Sequence, residues 1–208
     1  MNDIREVVMK KRLAGLVLVL LLIFPFSAYS GVPLETVKGQ INRVLDILRD
    51  PALKGEAQKK IKKEKIVAVA DEMFDFTELS KRSLGQSWNK MTPEQQGEFM
   101  NLYKSLLKSV YADKITSYTE EKIIFKRENT LSEKTAEVET TILTKTSEVP
   151  INYRVIEKEG QWKVYDVVVE GVSLISNYRS QFREILAKQT PEALLEILRK
   201  KVGKGQTH

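Results

Sequence analysis

The chain has 208 residues, 42% hydrophobic and 30% charged, with a formal net charge of +6 and no cysteine. Such a length suits one well-cored domain, and the balance is that of a folded chain, not a disordered one. Without cysteine there are no disulfides or thiolate chemistry; with one histidine, the terminal His208, zinc sites and Ser-His-Asp catalysis lack their residues.

Residues 1–30 read as a secretory signal peptide. Lys10-Lys11-Arg12 closes a basic start, LAGLVLVLLLIFPF follows, and Ala28 and Ser30 put small residues at a cleavage site after Ser30. A retained anchor is the rival reading, but residues 13–26 span only ~21 Å as a helix against a hydrocarbon core of ~30 Å. Cleavage removes Arg5, Lys10, Lys11 and Arg12 together with Asp3 and Glu6, lowering the charge from +6 to +4. A mildly basic surface favours anionic membranes or acidic partners, or simply solubility. No basic stripe is interleaved with stacking aromatics, so nucleic acid is not an expected partner.

Residues 31–198 read as one domain and 199–208 as a basic, disordered tail. Pro33 opens a helix in which Leu34, Val37, Ile41, Leu45 and Leu48 recur at helical steps, and Asp50-Pro51 breaks it. The run KKIKKEKI (59–66) could be a headgroup or partner patch; the solvated face of an amphipathic helix is the favoured reading. Thr92-Pro93-Glu94-Gln95 carries a capping box ahead of a stripe of Phe99, Leu102, Tyr103, Leu106, Leu107, Val110 and Tyr111. Gly97 is out of place in that helix unless another element approaches it closely.

From about Lys122 the period changes to two. KIIFK, AEVETTIL, PINYRVIEK and WKVYDVVVE read as four strands, the last two joined through Glu159-Gly160 as a hairpin. Alternation sets Ala136, Val138, Thr140 and Ile142 against Glu137 and Glu139, and sets Tyr165, Val167 and Val169 against Asp166 and Glu170. Helical spacing returns at Leu174–Leu186, and Thr190-Pro191-Glu192 opens a last short helix. The expected class is α+β: a four-stranded, mainly antiparallel sheet covered on one face by helices.

Phosphate loops, HExxH, GxSxG and EF-hand patterns are missing from the sequence. The best catalytic candidate is Asp166, beside Tyr165 and with Tyr153 on a neighbouring strand, as an isomerase-like base and donor. Alternation opposes it, since adjacent strand residues face opposite sides, and a surface Asp paired with a cation is the favoured reading. Asp71, Glu72 and Asp75 read as solvent contacts. The apolar stripes fit either a filled core or a ligand cavity, because both use the same residue types.

The segments FDFTELSKRSLGQSW (74–88), TPEQQGEFMNLYKSLLKSVYADKI (92–115) and VPINYRV…GQWKVYDVVVEGVSLISNYRSQF (149–182) resemble the MlaC family, whose members are periplasmic phospholipid-binding proteins of an ABC transport system linked to toluene tolerance. That resemblance implies a lipid-carrier domain over residues 31–198, with no enzyme activity, no cofactor and no metal, and phospholipid as cargo. It further implies a periplasmic shuttle between an outer-membrane lipoprotein complex and an inner-membrane ABC transporter with its lipid-binding subunit. Acyl chains would lie in a cavity between sheet and helices. The expected lining residues are Leu102, Leu106, Val110 and Tyr111 from the helix and Tyr153, Val155, Val164, Val167 and Val169 from the strands. Val172, Ile175 and Tyr178 would stand near the mouth, with Arg179 as a headgroup contact. An isomerase-like enzyme and a structural envelope adaptor without ligand are the alternatives.

Overall fold

The computed structural model describes residues 32–117 and 122–205, so the signal-peptide expectation for 1–30 lies outside the described residues. Helix α1 (Pro33–Arg49) begins on Pro33 and carries Glu35 in its first turn and Arg49 in its last, both matched to the helix dipole. It buries Val37, Ile41 and Leu48 and ends where Asp50 accepts a hydrogen bond from Ala52 N (2.8 Å) around Pro51. Helix α2 (Lys59–Met73) buries Ile66, Val69 and Met73. Of its lysines, Lys59 and Lys60 are exposed, while Lys63 pairs with Asp113 at 2.8 Å.

Phe74 leaves helical geometry and forms a parallel bridge with Val164, after which the Asp75 carboxylate caps helix α3 (Phe76–Leu84) by accepting from Glu78 N at 2.8 Å. The longest helix among the described residues, α4 (Pro93–Thr116), starts with the expected capping box: Thr92 Oγ1 accepts from Gln95 N, and Thr92 N donates to Gln95 Oε1. Gly97 approaches nothing; a Cβ built there would meet no atom within 4 Å.

Five antiparallel strands form a meander in chain order: β1 (Lys122–Ser132), β2 (Thr135–Leu143), β3 (Glu148–Lys158), β4 (Gln161–Val169) and the two-residue β5 (Val172–Ser173). The strand beyond the expected four arises because Glu170-Gly171 repeats the chemistry of Glu159-Gly160. All four residues have positive φ (49° and 82°, 53° and 77°), the backbone of a tight two-residue hairpin turn. Helix α5 (Leu174–Leu186) follows at once, capped by Ser173, whose Oγ accepts from Ser176 N. Helix α6 (Pro191–Gly205) is 15 residues long and carries helical backbone into the stretch 199–205 expected as tail; residues 206–208 are outside the described residues.

Two apolar clusters result. One lies between α1 and the sheet: Val37 and Ile41 of the helix and Met73 meet Ala136, Val138, Val155 and Val164. The other gathers α3, α4, α5 and α6 around Phe99, Tyr103, Tyr178 and Phe182, whose rings approach mostly edge to face at 5.0–5.7 Å between centroids. Leu79, Leu194 and Leu198 are fully buried there, each worth about 1.5–3 kcal/mol of transfer from water. Against α1 the sheet turns its apolar residues; its opposite face carries Arg127, Glu137, Glu139, Asn152 and Arg154 linked by hydrogen bonds.

Candidate ligand cleft

Between α1, the end of α2 and the β3–β4 hairpin lies a cleft of about 320 Å³. Spacing on α1 puts Thr36, Val37 and Gln40 on the face that looks at the sheet, and α2 contributes Glu72 and Met73. The hairpin supplies Gly160, Gln161, Trp162 and Lys163, with Val155 and Val164 behind them. Its inner wall is apolar and continuous with the α1–sheet cluster, against which Tyr153, Val167, Phe125 and Trp162 also pack.

The rim is polar. Arg43 donates to the Glu72 carboxylate, and that hydrogen bond, with the charges of Arg43 and Lys163, holds the carboxyl below its ordinary range. Lys163 Nζ donates to Glu72 O at 2.6 Å, tying the hairpin to the end of α2. At the other end of α1, Leu34 N donates to a Glu128 carboxylate oxygen at 2.8 Å, a negative charge at the helix N-terminus. Trp162 Nε1 is buried with no acceptor among the described residues.

The expected lining residues separate into three groups. Tyr153, Val155, Val164 and Val167 stand together on the face under α1. Leu106, Ile175 and Tyr178 are buried in the helical cluster, with Leu102 and Tyr111 packed against it, so the structure does not bring them to the sheet residues. Val110, Val169 and Val172 are exposed, the last two at 40% and 62%. Arg179 donates through Nε to Arg82 O at 2.8 Å, and Arg82 lies 4.3 Å over the Tyr165 ring. Gln40, Glu72, Trp162 and Lys163 were missed. The hairpin signal at Glu159-Gly160 could have found the last two, because a strand beginning next to a turn places its first side chains at the end of a sheet.

Asp166 is no surface residue. It is 2% exposed and accepts from Ser173 Oγ (2.7 Å), Ile175 N (3.0 Å) and Arg154 (3.2 Å). Alternation fails at this point. Arg154 pairs with Asp166 while Val155 pairs with Val164, so Tyr165 is the extra residue of a β-bulge. Tyr165 therefore joins the helical cluster and leaves Val167 on the other side. Every oxygen of Asp166 is engaged in holding α5 and Arg154, which gives it a structural role. Among the described residues no cluster of three acidic or histidine side chains could hold a metal, and no helix is long and apolar enough to cross a membrane.

The family model described as MlaC protein matches residues 38–200. The chain belongs to the MlaC family. It is similar to the intermembrane phospholipid transport system binding protein MlaC of Haemophilus influenzae, with 29% identity over 54% of this chain and 55% of that protein. It thus spans about half the length of that relative. Toluene tolerance protein ttg2D of Pseudomonas putida is 24% identical over 82% of this chain and 81% of its own length. In fold, the MlaC-family chain superposes with a TM-score of 0.75 on a phospholipid-binding protein from Ralstonia solanacearum in complex with a phospholipid; identity is 24%, covering 85% of this chain and all of the other.

Proposed function

We propose that this protein is a periplasmic phospholipid carrier that shuttles lipid between outer-membrane and inner-membrane ABC transporter complexes. Its acyl chains would occupy the space between α1 and the sheet. The observation that carries this reading is the cleft, a polar rim opening onto an apolar surface made by Val37 of α1 and by Val155 and Val164 of the strands beneath it. The likeness to a phospholipid transport protein and to a phospholipid-binding protein lends it further support.

The energetics explain why a carrier needs such a wall. Two chains with ~30 methylenes at about 0.8 kcal/mol each lose on the order of 25 kcal/mol on entering water, so the protein must replace that surroundings almost group for group. At about 320 Å³ the cleft sits at the small end of ligand sites. Loading therefore requires α1 to move off the strands, with Tyr153, Val155, Val164 and Val167 becoming the walls around the tails.

Organic extraction of protein purified from cells without detergent, followed by lipid analysis, tests the proposal. Phospholipid in the extract is the expected result, and native mass spectra should show a lipid-sized adduct. Val167→Glu places a charge against the tails and should abolish the adduct while the helical cluster stays folded. Protein that carries no lipid, and takes up none from vesicles, would refute the carrier reading.

A further inference from the structure

Two buried side-chain polar atoms lack a partner among the described residues: Thr141 Oγ1, on the sheet face turned away from α1, and Trp162 Nε1. Only the second belongs to a residue of the cleft. A buried indole N–H without an acceptor is unfavourable by more than a hydrogen bond normally gains, so its retention beside an apolar wall calls for an acceptor supplied from outside. Trp162 stands on the same face of β4 as Val164 and Val167, at the end where that wall meets the polar hairpin. Indole suits such a boundary, with an apolar body and one donor.

We infer that Trp162 fixes the depth and direction of the bound lipid by donating its indole N–H to an acyl-ester carbonyl oxygen. This rests on the phospholipid reading. The ester is the neutral acceptor that travels with the tails; phosphate, strongly hydrated, stays outside an apolar wall unless a cation accompanies it. That cation is at the next residue. Lys163 has used one of its three N–H donors on Glu72 O and has two left for phosphate oxygens. The headgroup therefore leaves over the β3–β4 hairpin, and the tails run from Val164 towards Tyr153 and Val167. Arg179, held on Arg82 O in the helical half of the molecule, takes no part.

Ester-linked and ether-linked phosphatidylethanolamine of equal chain length differ only in the two carbonyl groups. The purified protein, offered an equimolar mixture of the two in vesicles and analysed by mass spectrometry, should bind the ester form about fivefold over the ether form, a preference of about 1 kcal/mol. Trp162→Phe, which keeps the ring and removes the donor, should bring that ratio close to one while both lipids still bind. Equal uptake of the two by the unaltered protein would overturn the inference and leave the carrier reading standing, as would a preference that survives in Trp162→Phe. Uptake of neither lipid would overturn both.

Discussion

Tyr165 and Asp166 both serve the helical side of the sheet because β4 holds one residue more than β3 at that point. The extra residue was not legible in the sequence: WKVYDVVVE is apolar enough that a slipped register leaves no polar mismatch. Asp166→Ala removes three hydrogen bonds and leaves Arg154 with Glu137 as its remaining carboxylate. We expect a loss of about 3 kcal/mol in urea unfolding, with phospholipid content per folded molecule unchanged. Two phenols give a second test. Burial pushes Tyr153 and Tyr178 up to about 12, while in the unfolded chain both ionise near 10. Their contribution to stability is complete below pH 10 and is lost as pH rises to 12, because over that window the unfolded state gives up protons that the folded state keeps. Unfolding midpoints measured across pH 9–12 should fall less steeply in the double variant Tyr153→Phe, Tyr178→Phe than in the parent. Burial pushes Tyr103 higher still, against the lowering effect of its hydrogen bond with Ser83, so it adds to the same decline.

Elements with polar partners were readable in advance. The alternation in β2 holds from Ala136 to Thr140, with Ala136 and Val138 buried and Glu137 and Glu139 across from them, because one face of that strand is charged; it lapses at Thr141, which is buried as well. The capping box at Thr92 is equally local, and the structure forms it as the sequence implies. By contrast β5 is only two residues long, too short for a periodic signal; its sign was the repeated Glu-Gly pair. Two glycines separate these cases. Gly171 sits at φ 82°, which a side chain adopts only with strain, whereas Gly97 is in helical backbone with open space around it. In thermal or urea unfolding, Gly171→Ala should therefore destabilise by about 1 kcal/mol and Gly97→Ala should stabilise by about 0.5–1 kcal/mol.

At the scale of the molecule the apolar stripes told how much would be buried but not against what. Stripe residues such as Leu106 and Val155 look alike in sequence, yet one closes a ring of aromatics and the other faces α1. Periodicity names a face and is silent about the neighbour it meets. The division into two clusters makes a prediction of its own. Extracting the lipid should raise hydrogen exchange of amides in α1, β2 and β3 well above that in α4 and α5, measured by mass spectrometry on loaded and stripped protein. Uniform loosening of both groups would contradict it.

Phe74 packs into both clusters, and beside it Asp75 N donates to Val164 O at 2.9 Å. Tyr165, Ile156 and the Asp166 carboxylate add further ties between the sheet and the helical cluster. If the chain releases lipid as proposed, the interlocked rings of Phe99, Tyr103, Tyr178 and Phe182 would keep their packing while the space under α1 stands empty, because none of them lines the cleft.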